Sequence, residues 1–282
     1  MLLTPSILKI DPEETQQRIL RFIRDYVTKT KTKGIVLGLS GGIDSSTNAA
    51  LAAQAIEGSK TFGLLMFERE TRSKMDVDHA LQVAKQFKIR IINIDITKPL
   101  NALYKSIPAF AESDLKSKGN IKARTRTAIL YYYANSKNLI VSSSSDKSET
   151  MIGYYTKYGD NAAGIAPQQD LYKTQVRHLA KHMKVPNAII QKPSTPALWP
   201  NQTAEQEIGI RYETLDLILY GLEHFMEPSQ IAEQLSVPTK TVESIKKRWL
   251  LTEHKRRMPL TPKLGFRTVG KDFRLPYDAE AE

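Results

Sequence analysis

The chain carries the sequence GIVLGLSGGIDSS at Gly34–Ser46, and this stretch determines the fold that we expect. Its apolar start, Ile35–Leu39, is long enough for one buried strand. A Ser-Gly-Gly turn follows, and an Ala- and Leu-rich helical stretch then runs from Ser45 to Ile56. A strand, a glycine turn and a helix N-terminus together form an anion site, because backbone N–H groups point outward and the helix dipole adds partial positive charge. The stretch therefore predicts a phosphate-binding loop.

The spacing within this loop differs from that of two common nucleotide loops. A dinucleotide loop reads G-x-G-x-x-G and a Walker loop G-x-x-x-x-G-K-[ST], and neither pattern is present. Asp44 could hold Mg²⁺ beside the phosphates, and Ser40 and Ser45 can donate hydroxyl groups. The pattern S-G-G-x-D-S resembles the loop of the ATP pyrophosphatases, which cleave ATP to AMP and pyrophosphate while activating a carboxylate or carbonyl. The alternative is a turn without a ligand, but its glycines would then cost stability without packing in return.

Strands and helices alternate along the first half of the chain. Apolar strands are predicted at Thr61–Phe67, Ile89–Ile94 and Leu139–Val141, with amphipathic helices between them. This order predicts a doubly wound parallel α/β sheet, Rossmann-like with three layers, and ligands at the carboxyl ends of the strands. Met66 and Phe67 would then form the adenine side of the crevice. We expect one domain over 1–282, with an α/β core at about 30–185, a helical C-terminal part at 200–258 and an irregular tail at 259–282.

Composition narrows the class of protein. The 282 residues include no cysteine, which excludes disulfides, Cys-metal sites and a thiol nucleophile. The sequence has no apolar stretch of membrane-spanning length and no signal-peptide pattern, so a cytoplasmic protein is expected. The formal charge of +11 fits either nucleic acid or a polyanionic small substrate. The predicted helix pair Pro228–Leu235 and Thr239–Leu251 resembles a helix-turn-helix, which keeps DNA binding open.

Three further segments carry polar groups suited to a nucleotide site. The serine run after the fourth strand ends at Glu149, which could share one Mg²⁺ with Asp44; the alternative is a serine-rich helix cap with a solvated glutamate. The Tyr154–Asn161 loop carries Lys, Asp and three Tyr and suits a lid over an aromatic ligand. A predicted helix starting at Gly119 has three basic residues near its first turns, and Lys173 lies at another helix N-terminus. Cations there oppose the helix dipole unless an anion is nearby.

Taken together, these stretches resemble the NAD synthetase family, within the N-type ATP pyrophosphatases. The matching blocks occur in the family's order at Gly38–Ser45, Gly119–Arg126, Thr156–Asp160 and Thr252–Arg257. The resemblance implies an ammonia-dependent ligase that adenylates the nicotinate carboxylate of deamido-NAD with ATP and Mg²⁺, releases pyrophosphate, and lets ammonia displace AMP to form NAD. It also implies an intertwined homodimer, with no role for a membrane or for nucleic acid.

The resemblance assigns residues to each substrate. Asp44, Lys173 and Asp160 would be catalytic, and Asp44 and Glu149 would hold Mg²⁺. The predicted ATP contacts are Gly38, Leu39, Ser40, Gly41, Gly42, Ile43, Asp44, Ser45, Ser145, Lys173 and Thr195. The predicted deamido-NAD contacts are Asn120, Arg124, Lys157, Asp160, His254 and Lys255, and Tyr154 or Tyr155 would stack on the nicotinate ring.

This chain departs from the family pattern at a few positions. Gly164 stands where the family often has Asp, Ser144-Ser145 replaces Gly-Thr, and Ala197-Leu198 lacks the acid that follows Ala in the family. These changes are expected to affect the affinity for deamido-NAD and to leave the ATP chemistry intact. A glutaminase domain with its catalytic Cys is absent from the sequence, so free ammonia or a separate subunit would supply nitrogen. A different ATP pyrophosphatase-type ligase is the first alternative, and the helix-turn-helix DNA-binding protein the second.

Overall fold

Four parallel strands form one sheet in the computed structural model, which describes residues 1–275. The strands are β1 (Ile35–Gly38), β2 (Thr61–Phe67), β3 (Arg90–Asp95) and β4 (Ile140–Val141), in the order β3-β2-β1-β4. β1 pairs with β2 from Ile35–Thr61 to Gly38–Leu64 and with β4 on its other side. The predicted parallel α/β sheet is confirmed, and the Ser-Gly-Gly turn leaves the sheet from one of its two central strands.

Helices cover both faces of the sheet. Successive residues of β1 point to opposite faces, so Ile35 and Leu37 pack in the core under the first and second helices, whereas Val36 packs under the fifth. The helices are α1 (Pro12–Lys29), α2 (Ile43–Ile56), α3 (Lys74–Gln86), α4 (Thr97–Ser106), α5 (Leu115–Lys137), α6 (Lys147–Ile152), α7 (Lys173–His182), α8 (Asn187–Ile190), α9 (Ala204–Ile208), α10 (Tyr212–Glu223), α11 (Pro228–Leu235), α12 (Thr239–Leu251) and α13 (Glu253–Arg256).

Two predicted helix boundaries were wrong. α5 begins at Leu115 rather than Gly119, because the Asp114 carboxylate accepts a hydrogen bond from the Ser117 N–H and caps the helix four residues earlier. The basic residues of its motif therefore lie beyond the first turn, where the helix dipole opposes them less. Within the helical C-terminal part, the sequence predicts one continuous helix over Ala204–Leu222, but the structure divides it into α9 and α10, because Gly209 adopts a left-handed φ of 84° between them.

The C-terminal helices form a second apolar cluster. Tyr212 and Ile218 of α10 pack with Ile231 of α11 and with Val242 and Ile245 of α12, and all five side chains are buried. The apolar faces of the predicted helix-turn-helix pair are therefore buried in this cluster. None of the helices in the part of the chain that the structure describes is both long and apolar enough to cross a membrane. The predicted tail lies partly outside the described residues, which end at 275.

Candidate active site

A cavity of about 1220 Å³ opens at the carboxyl ends of the strands. Its walls come from the Ser-Gly-Gly loop, the end of β2, the first half of α5, the serine run after β4, the 153–160 loop, the proline-containing segment at 193–199 and the start of α13. The residues predicted for ATP, Mg²⁺ and deamido-NAD line this cavity, apart from Gly41 and Lys173, as do Met66 and Phe67. Segments that are far apart in sequence therefore share one crevice.

The Ser-Gly-Gly loop is held in shape by its own hydroxyl groups. Ser40 Oγ and Ser45 Oγ are 2.9 Å apart, and Ser45 Oγ also donates to the Gly42 carbonyl oxygen at 3.1 Å. Gly41 has a left-handed φ of 76°, and a Cβ there would lie 2.1 Å from the backbone oxygen of Asp76. Helix α2 starts at Ile43, and no side chain among the described residues caps its N-terminus. Its first N–H groups are available to an anion in the cavity.

Three carboxylates meet beside this loop. Asp44, in the first turn of α2, lies near Asp146 and Glu149, and one oxygen of each lies within 4.8 Å of the others. Asp146 caps α6, because its Oδ1 accepts a hydrogen bond from the Glu149 N–H at 2.8 Å. The Lys173 ammonium lies against the cluster, 2.6 Å from Asp44, 2.7 Å from Asp146 and 2.9 Å from Glu149. No role was predicted for Asp146, although an aspartate three residues before Glu149, at the start of a predicted helix, was a usable signal.

Burial and mutual repulsion set the charge of this cluster. Burial raises the pKa of Glu149 well above its ordinary value, and the neighbouring Asp146 raises it further. Burial also raises the pKa of Asp146, although Lys173 opposes that shift. For Lys173, burial alone would lower the pKa, but the three carboxylates together raise it well above the ordinary value. Lys173 is therefore a charged ammonium that offsets part of the negative charge.

The cluster fits a hard divalent cation. Carboxylate oxygens are the ligands that Mg²⁺ prefers, and Asp44 and Glu149 both line the cavity. Asp44 Oδ1 is buried and lacks a hydrogen-bond partner among the described residues, which leaves one carboxylate oxygen available to a metal ion. The predicted pair Asp44 and Glu149 thus lies within ligand distance of one cation, and Asp146 adds a third donor.

A second group of predicted residues forms a chain of hydrogen bonds across the cavity. Arg124 of α5 donates to the Lys157 carbonyl oxygen at 3.2 Å, and Lys157 Nζ donates to the His254 carbonyl oxygen at 2.6 Å. Lys255 Nζ donates to the carbonyl oxygens of Gly153 and Tyr155 at 2.7 and 2.6 Å. These bonds fix the 153–160 loop between α5 and α13. The loop was expected as a lid, and its backbone is anchored at both ends.

Hydrogen bonds to nearby residues hold the other predicted side chains in place. The Asp160 carboxylate accepts a hydrogen bond from the Thr156 N–H at 2.8 Å, and burial raises its pKa. Asn120 Oδ1 accepts a hydrogen bond from the Thr156 hydroxyl at 2.8 Å. Thr195 Oγ1 accepts one from the Ala197 N–H at 3.1 Å, and Ser145 Oγ accepts one from the Ser143 hydroxyl at 3.0 Å. Each of these side chains lies at the cavity wall.

Two residues have surroundings that differ from what their sequence motifs predicted. Arg126 lines the cavity, and its Nε is buried without a hydrogen-bond partner in the part of the chain that the structure describes. Arg126 is one of the three basic residues near the start of the predicted helix, but no specific contact was predicted for it. Gly164, expected to affect dinucleotide affinity, packs beside β4, where its N–H donates to the Val141 carbonyl oxygen at 2.9 Å. It is not among the residues that line the cavity.

Comparisons with known proteins give consistent results. The sequence profile of the NAD synthase family matches residues 15–259. The NH(3)-dependent NAD(+) synthetase of Methanocaldococcus jannaschii is 44% identical over 254 residues, which cover 89% of this chain and 97% of that protein. The protein of the same description from Hyperthermus butylicus is 42% identical, with 91% of this chain and 93% of that protein covered.

Solved structures are also similar to this chain. The NMN synthetase of Francisella tularensis superposes with a TM-score of 0.80 at 33% identity, covering 91% of this chain and 100% of that one. The NH3-dependent NAD synthetase of Campylobacter jejuni, described in complex with the nitrate ion, superposes with a TM-score of 0.75 at 28% identity, covering 90% and 100%.

Proposed function

The chain belongs to the NAD synthase family, and from this premise we propose how its cavity carries out the family reaction. The reaction is the ATP-dependent amidation of deamido-NAD to NAD with ammonia, through an adenylated carboxylate, with release of AMP and pyrophosphate. The enzyme is thus a ligase that forms a C–N bond. The observation that carries the proposal is the single cavity in which the Ser-Gly-Gly loop, the carboxylate cluster and the hydrogen-bonded 153–160 loop meet.

The ATP phosphates bind on the Gly38–Ser45 loop in this proposal. The uncapped N-terminus of α2 offers backbone N–H groups, and the Ser40 and Ser45 hydroxyls lie beside them. Ser145 and Thr195 add hydroxyl groups from two other segments of the cavity wall, and Met66 and Phe67 provide an apolar surface for the adenine. Because the loop follows β1 directly, the triphosphate would lie at the centre of the crevice.

Asp44 and Glu149 would hold Mg²⁺ next to these phosphates, with Asp146 as a third oxygen donor. When bound, the ion neutralises negative charge on the phosphate oxygens and favours the departure of pyrophosphate. Lys173 contributes a positive charge of the chain itself to this part of the enzyme. The chain contributes to this step by positioning and by charge neutralisation, and a side-chain nucleophile is not required.

The deamido-NAD site would lie on the side of the cavity formed by α5 and α13. Cationic side chains are placed there by Arg124, Lys157 and Lys255, and His254 and Asn120 add an imidazole and an amide. A nicotinate carboxylate oxygen attacks the α-phosphorus, and pyrophosphate leaves with the electrons of the broken P–O bond. Ammonia then forms the C–N bond, and AMP leaves as the C–O bond breaks. The Asp160 carboxylate lines the cavity, and desolvation raises its pKa, so it would accept the proton that the nitrogen loses.

The experiment that tests the proposal is a pyrophosphate-release assay with MgATP, deamido-NAD and an ammonium salt, each omitted in turn. We expect pyrophosphate release to require deamido-NAD, and NAD to form only when ammonium is present. Binding of ATP without any release would instead favour a ligase of the same fold that acts on another acceptor. The homodimer and the cytoplasmic location remain predictions, and size-exclusion chromatography with light scattering tests the first.

A mononucleotide substrate is the second candidate, because one similar structure is described as an NMN synthetase. The same assay therefore includes nicotinate mononucleotide, the deamidated form of NMN, in place of deamido-NAD. The similar proteins of 44% and 42% identity are described as NAD(+) synthetases, which favours the dinucleotide. A larger kcat/KM for the mononucleotide would reverse this preference.

A further inference from the structure

The Lys173 ammonium occupies the centre of the carboxylate cluster. Its side chain has no solvent exposure, and its nitrogen lies 2.6, 2.7 and 2.9 Å from oxygens of Asp44, Asp146 and Glu149. The ammonium donates hydrogen bonds to Asp44 and Glu149 and forms an ion pair with Asp146. The ring of Tyr212 lies 5.1 Å from the same nitrogen and adds a cation–π contact. Three carboxylates and one aromatic ring therefore surround the Lys173 ammonium.

A divalent cation and this ammonium compete for the same three carboxylates. Mg²⁺ binds carboxylate oxygens at about 2.0–2.1 Å, so an ion shared by Asp44 and Glu149 would lie close to the position of the ammonium nitrogen. Two cations that close, in a site where Asp146 has no solvent exposure, would repel each other strongly. The two arrangements therefore exclude each other, although both use the same carboxylates.

We propose that Lys173 is the resident counter-ion of this cluster in the nucleotide-free enzyme, and that a divalent cation enters only when the ammonium leaves the carboxylates for a substrate phosphate. The inference rests on the metal site in the proposed function. Asp44 and Glu149 are 21% and 18% exposed toward the cavity, so incoming phosphates can reach the cluster and offer Lys173 new acceptors. Metal ion and nucleotide then bind together, and the free enzyme binds the metal ion weakly.

Deleting a residue at a binding site usually weakens binding, but deleting the Lys173 ammonium should strengthen the binding of the metal ion. If Lys173 excludes the metal ion, removal of its ammonium leaves three carboxylates with no cation between them and strengthens metal binding. If Lys173 instead supports the metal site without leaving it, removal of the ammonium weakens or does not change metal binding. The sign of the change therefore distinguishes the two arrangements.

The test is Mn²⁺ binding to the full chain without nucleotide, followed by the electron paramagnetic resonance signal of free Mn²⁺. We expect Lys173→Met to bind Mn²⁺ about tenfold more tightly than the wild type, or better, because a repelling charge at contact distance is gone. Lys181→Met, at an exposed position in the last turn of the same helix, is the control and should match the wild type. Equal or weaker binding by Lys173→Met, or none, overturns the proposal.

Thermal unfolding in EDTA and in Mn²⁺ provides a second measurement, because Lys173→Met can be unstable without a cation. The proposal expects Mn²⁺ to raise the Tm of Lys173→Met by more than that of the wild type, or to restore its fold. A smaller rise, or a variant that stays unfolded in Mn²⁺, shows a role that a metal ion cannot replace and overturns the proposal. Neither measurement contains ATP or deamido-NAD, so failure of the proposed reaction is detected separately in the pyrophosphate assay.

Discussion

A buried ion pair joins three walls of the cavity, and breaking it should destabilise the protein strongly. Lys122 of α5 has no solvent exposure, and its ammonium donates to Glu68 Oε2 at 2.8 Å and to the Leu198 carbonyl oxygen at 2.7 Å. Burial lowers the pKa of Lys122, and Glu68 opposes that shift. The pair thus connects the end of β2, helix α5 and the segment that carries Thr195.

The expected loss of stability can be worked out from the carboxylate that loses its partner. Lys122→Met leaves Glu68, whose side chain is only 9% exposed, without its partner. Removing one member of a buried pair costs about 3–5 kcal/mol in the free energy of unfolding. At about 2–4 °C per kcal/mol, Tm should fall by roughly 6–20 °C. The double variant Lys122→Met with Glu68→Gln leaves no unpaired charge and should recover about half of the loss or more.

Urea unfolding followed by circular dichroism measures these differences, and Lys137→Met, at an exposed position near the end of α5, is the control. We expect the control to remain within about 0.5 kcal/mol of the wild type. Both Lys122 variants should raise the KM for ATP, because the Leu198 carbonyl oxygen loses its donor in each. A single variant as stable as the wild type, or a double variant no more stable than the single one, would refute the reasoning.

Three other substitutions test separate features. Gly41→Ala, where a Cβ would lie 2.1 Å from the Asp76 backbone oxygen at a φ of 76°, should lower the unfolding free energy by roughly 1–3 kcal/mol or more, whereas Gly42→Ala, with its nearest neighbour at 3.4 Å, should change it far less in the same urea titration. Burial raises the pKa of Asp216 to about 6, so the folded state keeps a proton that the unfolded state loses; relative to Asp216→Asn, the wild type should lose roughly 2 kcal/mol of stability between pH 4 and pH 7, and a constant difference in urea unfolding would contradict this. His254→Ala should raise the KM for deamido-NAD more than that for ATP in the pyrophosphate assay, and an unchanged KM for deamido-NAD would remove His254 from that site.

Elements with strong local signals were predicted to the residue. β2 (Thr61–Phe67) is a continuous apolar run, and α11 (Pro228–Leu235) and α12 (Thr239–Leu251) begin next to prolines that disfavour a preceding helical turn. The glycine-rich turn after β1 was found for the same reason, because its composition suits few other local structures. The start of α5 was missed, because Asp114 lies in a polar stretch where a helix cap and a loop have the same composition.

The composition of the site was only partly predictable, because its geometry comes from tertiary packing. Asp44 and Glu149 were paired by assuming that the ends of neighbouring strands meet, and their carboxylate oxygens do lie within 4.8 Å of each other. The third carboxylate, from Asp146, was not predicted as a ligand, and in the structure it also caps α6. Periodicity and capping rules describe one element at a time, so they cannot show that Lys173 lies among all three acids.

The N-termini of three helices converge on this cluster, which explains its unusual charges. Asp44 lies in the first turn of α2, Glu149 in the first turn of α6, and Lys173 is the first residue of α7. Helix N-termini stabilise carboxylates, but they disfavour a lysine, and the sequence suggested that an external anion compensates Lys173. The structure shows that carboxylates of the chain itself do so. The positive helix ends and the lysine together allow three acids to be held close to one another, and the same positive field is suited to the phosphates that the proposed reaction brings to the cavity.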